Sequence, residues 1–273
     1  MTHTDSQFHQ LRFSPSEIEH HYGDNVHILS DPFCLTLLTR LGHPDTIQPQ
    51  AGRLMRQLYE YLLHSMVNAE FPRRQVAVDT RMKETEPRGT WTGAVVDTSA
   101  QVAVVALSRA GLQPSQIAFD ALAEFMDPGV VRQDHVAAAR ATDANGEVTG
   151  TVIAASKIGG SVEGGLVIVP DPMGATGGTV LALLDHYEEH RLGKPEKVIF
   201  MHLMVTPEYL RRIRDNRPEV CIYALRLDRG LSAPEVLRCT PGERWDEERG
   251  LTDHGYIVPG AGGVGELLNN SWV

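Results

Sequence analysis

The chain has 273 residues, 42% of them hydrophobic, and a formal net charge of −10 at neutral pH. This length suits one α/β domain with additions, and the hydrophobic fraction is enough for a sizeable core. The negative charge argues against a nucleic-acid groove, and no apolar run approaches the ~20 residues needed to cross a membrane. The cysteines are few and far apart, and indicate neither a disulfide framework nor zinc-ligand spacing. Because the start is polar and lacks an apolar signal segment, we expect a cytoplasmic protein.

The N-terminal quarter divides into a polar arm and a helical part. Residues 1–24 show no hydrophobic periodicity, so we interpret them as a loose arm or an oligomer contact, and residues 25–273 as a single domain. From Gln48 to Glu70, apolar residues recur at helical spacing, which predicts a long helix that Pro72 ends. The predicted buried face includes Leu54, Leu58, Tyr61 and Leu62.

The next segments alternate between strand and helix patterns. We predict strands over Gln75–Met82 and Val102–Leu107, a loop over Lys83–Gly93 and a helix over Ser115–Phe125. Arg109 follows the second strand at its carboxyl end, where ligands bind in open parallel sheets. A guanidinium there can hold a pyrophosphate through charge-assisted hydrogen bonds, although a plain surface arginine is the alternative.

A projecting β-arm is predicted over Ala137–Ala155. One strand ends at Arg140, the tetrapeptide Asp143–Gly146 is a turn signal, and Val148–Ala154 has the composition of the returning strand. Asn-Gly within the turn is the strongest two-residue hairpin signal.

The central stretch, Leu166–His190, predicts a strand, a glycine loop and a helix. Glycine lets the backbone approach an anion, and the first turn of the helix offers unpaired N–H groups and the positive end of its dipole. Thr176 and Thr179 can add hydroxyl donors, and Asp171, just past the strand, can face ribose hydroxyls or a magnesium ion. A strand-to-helix turn with no ligand is the alternative, since glycine patterns are weak by themselves.

Three more elements complete the pattern. They are a strand over Val198–Val205, a helix over Pro207–Asp215 and a strand over Val220–Leu225. Strands that alternate with helices in this way imply a mostly parallel sheet with right-handed crossovers. We therefore predict an α/β fold, a mostly parallel sheet flanked by helices.

The loop sequence DPMGATGGT closely resembles the phosphoribosyl-pyrophosphate loop of the uracil phosphoribosyltransferase family. Two further motifs follow the family's order, since Ser108–Leu112 (SRAGL) resembles its Arg-Ala-Gly-Leu loop and Gly250–Gly262 (GLTDHGYIVPGAG) its C-terminal uracil loop. The resemblance implies a phosphoribosyltransferase-like fold with a β-arm and a hood formed by N- and C-terminal segments. It also implies transfer of phosphoribose to uracil, Mg²⁺ as cofactor, no protein residue assigned as a metal ligand, and a homodimer or larger homo-oligomer.

The resemblance assigns residues to both substrates, with Asp171 and Arg109 as the catalytic pair. The residues expected to bind phosphoribosyl pyrophosphate are Arg109, Arg140, Asp171, Pro172, Met173, Gly174, Ala175, Thr176, Gly177, Gly178, Thr179 and Gly263. Those expected to bind uracil are Ile257, Gly262, Gly263 and Val264. A glycine-rich loop can bind a base through backbone amides and carbonyls, because no side chain prevents close approach.

The chain departs from the family in three places. The arm sequence differs, and about twenty residues over 228–247 are an insertion, equally consistent with a surface decoration and with a lid or interface that uses Trp245. Gly263 stands where the family has the first acid of Gly-Asp-x-Gly-Asp, and Glu266 holds the place of the second. These departures leave open a non-catalytic binding protein or a transferase for a different base.

Overall fold

The computed structural model describes residues 5–142 and 148–271, without the side chains of residues 140–142, 148 and 149. The predicted turn at residues 143–147 lies outside the described residues. The helices span Pro32–Leu41 (α1), Gln50–Glu70 (α2), Leu112–Ala123 (α3), Gly178–Glu189 (α4), Pro207–Asn216 (α5), Pro234–Leu237 (α6) and Val264–Asn269 (α7). None of the helices in the described part of the chain has both the length and the apolar character of a membrane span.

The strands span Val26–Ile28 (β1), Arg73–Asp79 (β2), Thr90–Val96 (β3), Val102–Ser108 (β4), Val131–Thr142 (β5), Val148–Lys157 (β6), Leu166–Pro170 (β7), Met173–Gly174 (β8), Lys197–Val205 (β9) and Cys221–Leu227 (β10). The main sheet has the order β1-β10-β9-β7-β4-β5-β6, and β8 pairs with β9. Every pairing in it is parallel except β5 with β6, while β2 and β3 form a separate antiparallel ribbon.

The central strands are apolar because both of their faces are covered. Val104 and Ile168 point into one hydrophobic core, and Val105 and Val169 point into another. The first core includes side chains of α1, α2, α3 and α7, and the second includes those of α4 and α5. Helices on both faces of a parallel sheet are the expected result of right-handed crossovers. The predicted α/β fold, a mostly parallel sheet flanked by helices, is confirmed.

The predicted β-arm and hood both have counterparts. Residues 135–142 of β5 pair with residues 148–157 of β6, with irregular register near Ala137 and Thr142. The helix α2 meets the C-terminal segment, where the Gln48 side chain donates a hydrogen bond to the Leu268 carbonyl. A Cβ added to Gly42, at the end of α1, would lie 3.5 Å from the Gly260 carbonyl oxygen.

Two local expectations were wrong. Tyr61 is 47% exposed and packs edge-on against Phe33, whereas Tyr59 is fully buried and donates a hydrogen bond to the Met201 carbonyl. The predicted loop over Lys83–Gly93 contains the start of β3, because β2 requires an antiparallel partner at this edge. A ribbon partner is set by tertiary pairing, which local composition does not show.

Residues 16–24, the last part of the predicted N-terminal arm, are packed rather than loose. Tyr22 is buried, and the His21 amide donates to the Pro241 carbonyl. The Ser30 amide donates to the Ser16 carbonyl, which folds residues 16–24 back on the start of the domain. The boundary at residue 24 and the limits of the insertion at about 228–247 stay predictions.

Candidate active site

A cleft of about 730 Å³ opens at the carboxyl ends of β4 and β7. Four segments contribute to its walls: the loop after β4, the β-arm, the glycine loop after β7, and a C-terminal loop. The lining residues that carry the argument below are Arg109, Thr151, Asp171, Thr176, Thr179 and Asp253–Tyr256. The cleft therefore lies where ligands bind in an open α/β sheet.

Asp171 lines this cleft, directly after β7. Its backbone is held from two sides, because its amide donates to the Met201 carbonyl and its own carbonyl accepts from His202 Nδ1 at 2.6 Å. The side chain accepts a long hydrogen bond, 3.4 Å, from the Met173 amide. Burial raises the pKa of Asp171 to about 6. The carboxylate is thus rigidly placed and weakly paired, which suits a group that awaits a ligand.

His202 supports Asp171 from beneath the cleft. It is fully buried, and its Nε2 lies 2.7 Å from the hydroxyl of Tyr209, also buried. Burial lowers the pKa of His202 to about 4, so the ring is neutral at physiological pH. A neutral ring with both nitrogens engaged holds the Asp171 backbone without placing a charge near the carboxylate.

The glycine loop divides between the cleft and the strand behind it. Ala175, Thr176 and Thr179 line the cleft. By contrast, the Pro172 carbonyl accepts from the Leu203 and Met204 amides, and Met173–Gly174 form β8 against β9. The predicted binding residues Pro172, Met173 and Gly174 therefore fix the loop to the sheet; they do not line the cleft.

The two glycines at the start of α4 have different surroundings. Gly177 has φ +78°, a conformation that L side chains rarely adopt, and an added Cβ would lie 3.3 Å from Ile213 Cδ1 of α5. A Cβ on Gly178 would lie 3.0 Å from the hydroxyl of Thr151 on the β-arm. Gly177 thus permits the turn itself, whereas Gly178 permits the arm to approach the helix start.

The loop that carries Arg109 is clamped between β7 and α7. A Cβ on Gly111 would lie 3.0 Å from the Pro170 carbonyl oxygen, and a Cβ on Gly265 would lie 3.4 Å from the Cβ of Ala110. Arg109 itself is exposed and reaches Ser271 Oγ at 3.4 Å. The structure therefore brings Arg109 and Asp171 to one cleft, as predicted from the strand ends.

The C-terminal loop forms a small hairpin whose tip, Asp253–Tyr256, reaches the cleft. Leu251 and Ile257 form an isolated antiparallel bridge, and a Cβ on Gly255 would lie 3.7 Å from the Thr176 methyl group. Glu208, in the first turn of α5, accepts hydrogen bonds from the Gly250 and Leu251 amides. The base of the hairpin is thereby attached to α5, and its tip faces the glycine loop.

A buried ion pair holds the following turn. Arg226 donates to the Gly260 carbonyl at 2.9 Å, and the Gly260 amide donates to the Asp228 carboxylate at 2.8 Å. Arg226 and Asp228 also pair with each other, and Asp228 is almost completely buried. Both polar groups of the Gly260 backbone are therefore satisfied by one charged pair.

The residues predicted to contact uracil are not among those that line this cleft. Ile257 and Val264 are buried in the first core, and Gly262 is exposed. Gly263 caps α7, and the Glu266 carboxylate occupies the space above it: an added Cβ at residue 263 would meet Glu266 Oε2 at 1.8 Å. Their assignment to the base stays a prediction.

The arm also contributes to the cleft. Arg140 lies on β5 opposite Thr151, but its side chain lies outside the described residues. Asp134 anchors the base of the arm: it is fully buried, pairs with Arg132, and accepts from the Gly159 amide and the Tyr187 hydroxyl of α4. These contacts attach the arm to the helix that follows the glycine loop.

Several cleft residues were missed from the sequence. Thr151 and the tip residues Asp253, His254 and Tyr256 line it, although no role was predicted for them. The tip lies within the motif Gly250–Gly262, so its sequence position was a signal. Thr151 had no such signal in the sequence, because its position depends on how β6 pairs with β5.

Comparison with known proteins identifies a family. A family model for uracil phosphoribosyltransferase matches residues 28–242, which include the glycine loop, Arg109 and Arg140 and end before the C-terminal hairpin. A curated uracil phosphoribosyltransferase of Pyrococcus furiosus is 27% identical over 235 residues, covering 86% of this chain and 85% of that protein. One of Dictyoglomus thermophilum is 26% identical over 243 residues, covering 89% and 98%.

Among solved structures, a protein of Aquifex aeolicus covers 89% of this chain and 97% of its own, with a TM-score of 0.66 at 23% identity. This likeness supports the fold. Since the family model matches well over half of the residues, the chain belongs to the uracil phosphoribosyltransferase family and is a transferase enzyme.

Proposed function

We propose that this protein transfers the 5-phosphoribosyl group from phosphoribosyl pyrophosphate to uracil, giving UMP and pyrophosphate in pyrimidine salvage. The observation that carries the proposal is the meeting of three motifs in one cleft: the DPMGATGGT loop, the Arg109 loop and the tip of the C-terminal hairpin. The cleft volume, about 730 Å³, is within the usual range for small-molecule sites.

The glycine loop supplies the 5′-phosphate site. The first amides of α4 have no partners within the helix and lie at its positive end, and the hydroxyls of Thr176 and Thr179 flank them. Asp171, which lines the cleft, takes the ribose hydroxyls. Arg109 and Arg140 take the pyrophosphate, whose charge a guanidinium matches well.

The reaction needs no covalent nucleophile from the protein. The bond between ribose C1′ and the pyrophosphate oxygen breaks, and a bond from C1′ to the base nitrogen forms. Positive charge develops on the ribose as negative charge develops on the leaving group. A rigid carboxylate at residue 171 and a guanidinium at residue 109 stabilise these two charges and hold the reactants in line.

The cleft also fits Mg²⁺. This ion is usually bound by one or two carboxylates together with substrate phosphates, and Asp171 and Asp253 are carboxylates of the cleft lining. We propose that they hold it. When bound, the ion neutralises charge on the pyrophosphate and so favours its departure.

One observation, the absence of an acid at Gly263, favours a different function. Gly263 offers no carboxylate where the family has an acid, so a binding protein without turnover, or a transferase for another base, is the alternative. The enzyme is favoured because Asp171, Arg109 and the tip of the C-terminal hairpin line one cleft, where both substrates can be held together.

The test is product formation from phosphoribosyl pyrophosphate and a panel of pyrimidine and purine bases at saturating Mg²⁺. Calorimetry with phosphoribosyl pyrophosphate alone runs in parallel. We expect UMP from uracil and little nucleotide from the other bases. Arg109→Gln should weaken phosphoribosyl-pyrophosphate binding, and Arg238→Gln, outside the cleft lining, should leave it unchanged.

Each other outcome has a distinct meaning. Turnover with a different base would replace uracil as the substrate, and tight binding without turnover of any base would favour the non-catalytic alternative. The absence of both phosphoribosyl-pyrophosphate binding and turnover would refute the proposal. The homo-oligomeric state implied by the resemblance is also a proposal, which sedimentation velocity can test.

A further inference from the structure

A second cluster of ligand-type side chains lies at the amino ends of the strands, away from the cleft. His27 is the middle residue of β1, Cys221 begins β10, and Glu70 ends α2. One donor atom from each, an imidazole nitrogen, a thiol sulfur and a carboxylate oxygen, lies within 4.8 Å of the other two. These are the three donor types that zinc prefers in proteins.

The separations nearly match those of a coordinated ion. His27 Nε2 lies 3.9 Å from Glu70 Oε1, and Cys221 Sγ lies 3.8 Å from the same oxygen. With Zn–N and Zn–O near 2.0 Å and Zn–S near 2.3 Å, tetrahedral ligands are about 3.3–3.5 Å apart. Small side-chain rotations would therefore bring the donors onto one ion without moving the strands.

The imidazole is already oriented for such a role. Glu17 Oε1 lies 2.9 Å from His27 Nδ1, and the ring stacks on Tyr223 at a centroid distance of 4.5 Å. A carboxylate that accepts the Nδ1 proton leaves Nε2 with a free lone pair, here directed toward Glu70. Metal-binding histidines are commonly supported by a carboxylate in this way.

The charges of the cluster also favour a cation. Glu70 is the acidic residue of the cluster, and its carboxylate accepts hydrogen bonds from Lys197 at 2.7 Å through Oε2 and from Tyr223 at 2.6 Å through Oε1. The Cys221 thiol lies against the same Oε1. A divalent ion in place of the thiol proton would balance one thiolate and one carboxylate.

We propose that His27 Nε2, Glu70 Oε1 and Cys221 Sγ form a site for a divalent zinc-like ion, with Glu17 as the support of the imidazole. Binding releases the Cys221 proton to solvent, forms three protein–metal bonds and leaves a fourth position for water. Lys197 bonds the other oxygen of Glu70 and, being 43% exposed, can move into solvent. The ion would link β1, α2 and β10, so its role is structural.

The experiment uses the full chain, stripped of metal by a chelator and titrated with Co²⁺. We expect one equivalent to produce a thiolate-to-cobalt charge-transfer band in the near ultraviolet, and Zn²⁺ to displace it. Cys221→Ser and His27→Gln should abolish the band, and Glu17→Gln should weaken Co²⁺ binding about 10–100-fold. Cys239→Ser, a thiol outside the cluster, is the matched control and should keep the band.

A second measurement protects the test from misfolded variants. In the unmodified chain, Zn²⁺ should slow the reaction of one thiol with a disulfide reagent and raise the melting temperature. Phosphoribosyl transfer should be the same in His27→Gln as in the parent, since the cluster lies away from the cleft. Absence of the charge-transfer band in the parent, or its survival in both Cys221→Ser and His27→Gln, would overturn the proposal.

Discussion

At the scale of single residues, Asp171 joins an unusual pair of properties. Its backbone is fixed by Met201 and His202, whereas its carboxylate has a single long hydrogen bond from a backbone amide. Burial raises its pKa to about 6, so the group is mostly charged at neutral pH but titrates close below it. Its function should therefore depend on pH in a range where ordinary aspartates do not titrate.

We predict that Asp171→Asn lowers turnover by about 10²-fold or more, as when a preorganised electrostatic group is removed. In the parent, kcat/KM should fall roughly tenfold per pH unit below about 6, because the reactive form is the charged one. In Asp171→Asn, the pH profile of kcat/KM should not show this decrease at low pH. Near-normal kinetics in the variant would show that Asp171 does not belong to the active site.

Gly263 and Glu266 form a second pair at this scale. Glu266 Oε2 lies where a side chain at residue 263 would begin, so its carboxylate stands in the space of the missing acid. Gly263 has a negative φ, so the backbone there accepts any L residue. We therefore predict that Glu266 supplies the carboxylate that Gly263 lacks.

We predict that Glu266→Gln lowers phosphoribosyl transfer and increases its magnesium requirement, and that Gly263→Asp in the Glu266→Gln background restores it. The aspartate then enters space that the neutral glutamine side chain can leave. UMP formation as a function of Mg²⁺ concentration is the measurement. If no UMP forms in the parent, Gly263→Asp or the double variant, the uracil enzyme is refuted.

At the scale of elements, the β-arm is held at its base by the buried Asp134. Three groups donate to this carboxylate, namely the Arg132 guanidinium, the Gly159 amide and the Tyr187 hydroxyl. The arm then continues to Thr151, which lines the cleft with the glycine loop. The same side chain therefore connects the arm, the loop after it and α4.

Asp134→Asn should lower the free energy of unfolding by about 1–3 kcal/mol, because an amide replaces a buried carboxylate that accepts from several donors. Urea denaturation followed by circular dichroism measures it. Asp79→Asn, an exposed aspartate on the β2–β3 ribbon, is the matched control and should leave the midpoint unchanged. An equal midpoint in both variants would contradict the anchoring role of Asp134.

At the scale of the whole molecule, the insertion and the N-terminal arm stabilise each other. The Tyr22 hydroxyl donates to the buried Glu248, which also accepts from Arg229 at 2.7 Å. Trp245 is 9% exposed, donates to the Pro207 carbonyl at 2.9 Å and packs edge-on against Tyr22. Of the two interpretations of the insertion, packing of Trp245 within its own chain favours a surface decoration over a lid.

Tyr22→Phe removes one buried donor to Glu248 and should cost about 1–3 kcal/mol of unfolding free energy. Phosphoribosyl transfer should be unchanged, because this contact lies outside the cleft lining. The same two assays on Tyr61→Phe, an exposed tyrosine of α2, should show no change in either. If Tyr22→Phe loses phosphoribosyl transfer but keeps its stability, the result would favour a role of the insertion in the active site.

Much of the fold followed from local patterns alone. The wholly apolar runs Val102–Leu107 and Leu166–Val169 indicated strands buried on both faces, and the glycines before α4 indicated a tight turn to a helix. These inferences held because side-chain periodicity and backbone freedom are properties of a few adjacent residues. The position of Arg109 and Asp171 at strand ends followed in the same way from parallel strand order.

The tertiary structure decided which distant segments meet. Tyr59 rather than Tyr61 faces the core because the crossing of α2 over the sheet selects its buried face. Thr151 and the hairpin tip reach the cleft through strand pairing and through Glu208, and His27, Glu70 and Cys221 gather from positions with no ligand spacing. Such meetings depend on crossovers and loop closure over long sequence distances, and these leave no periodic signal in the chain.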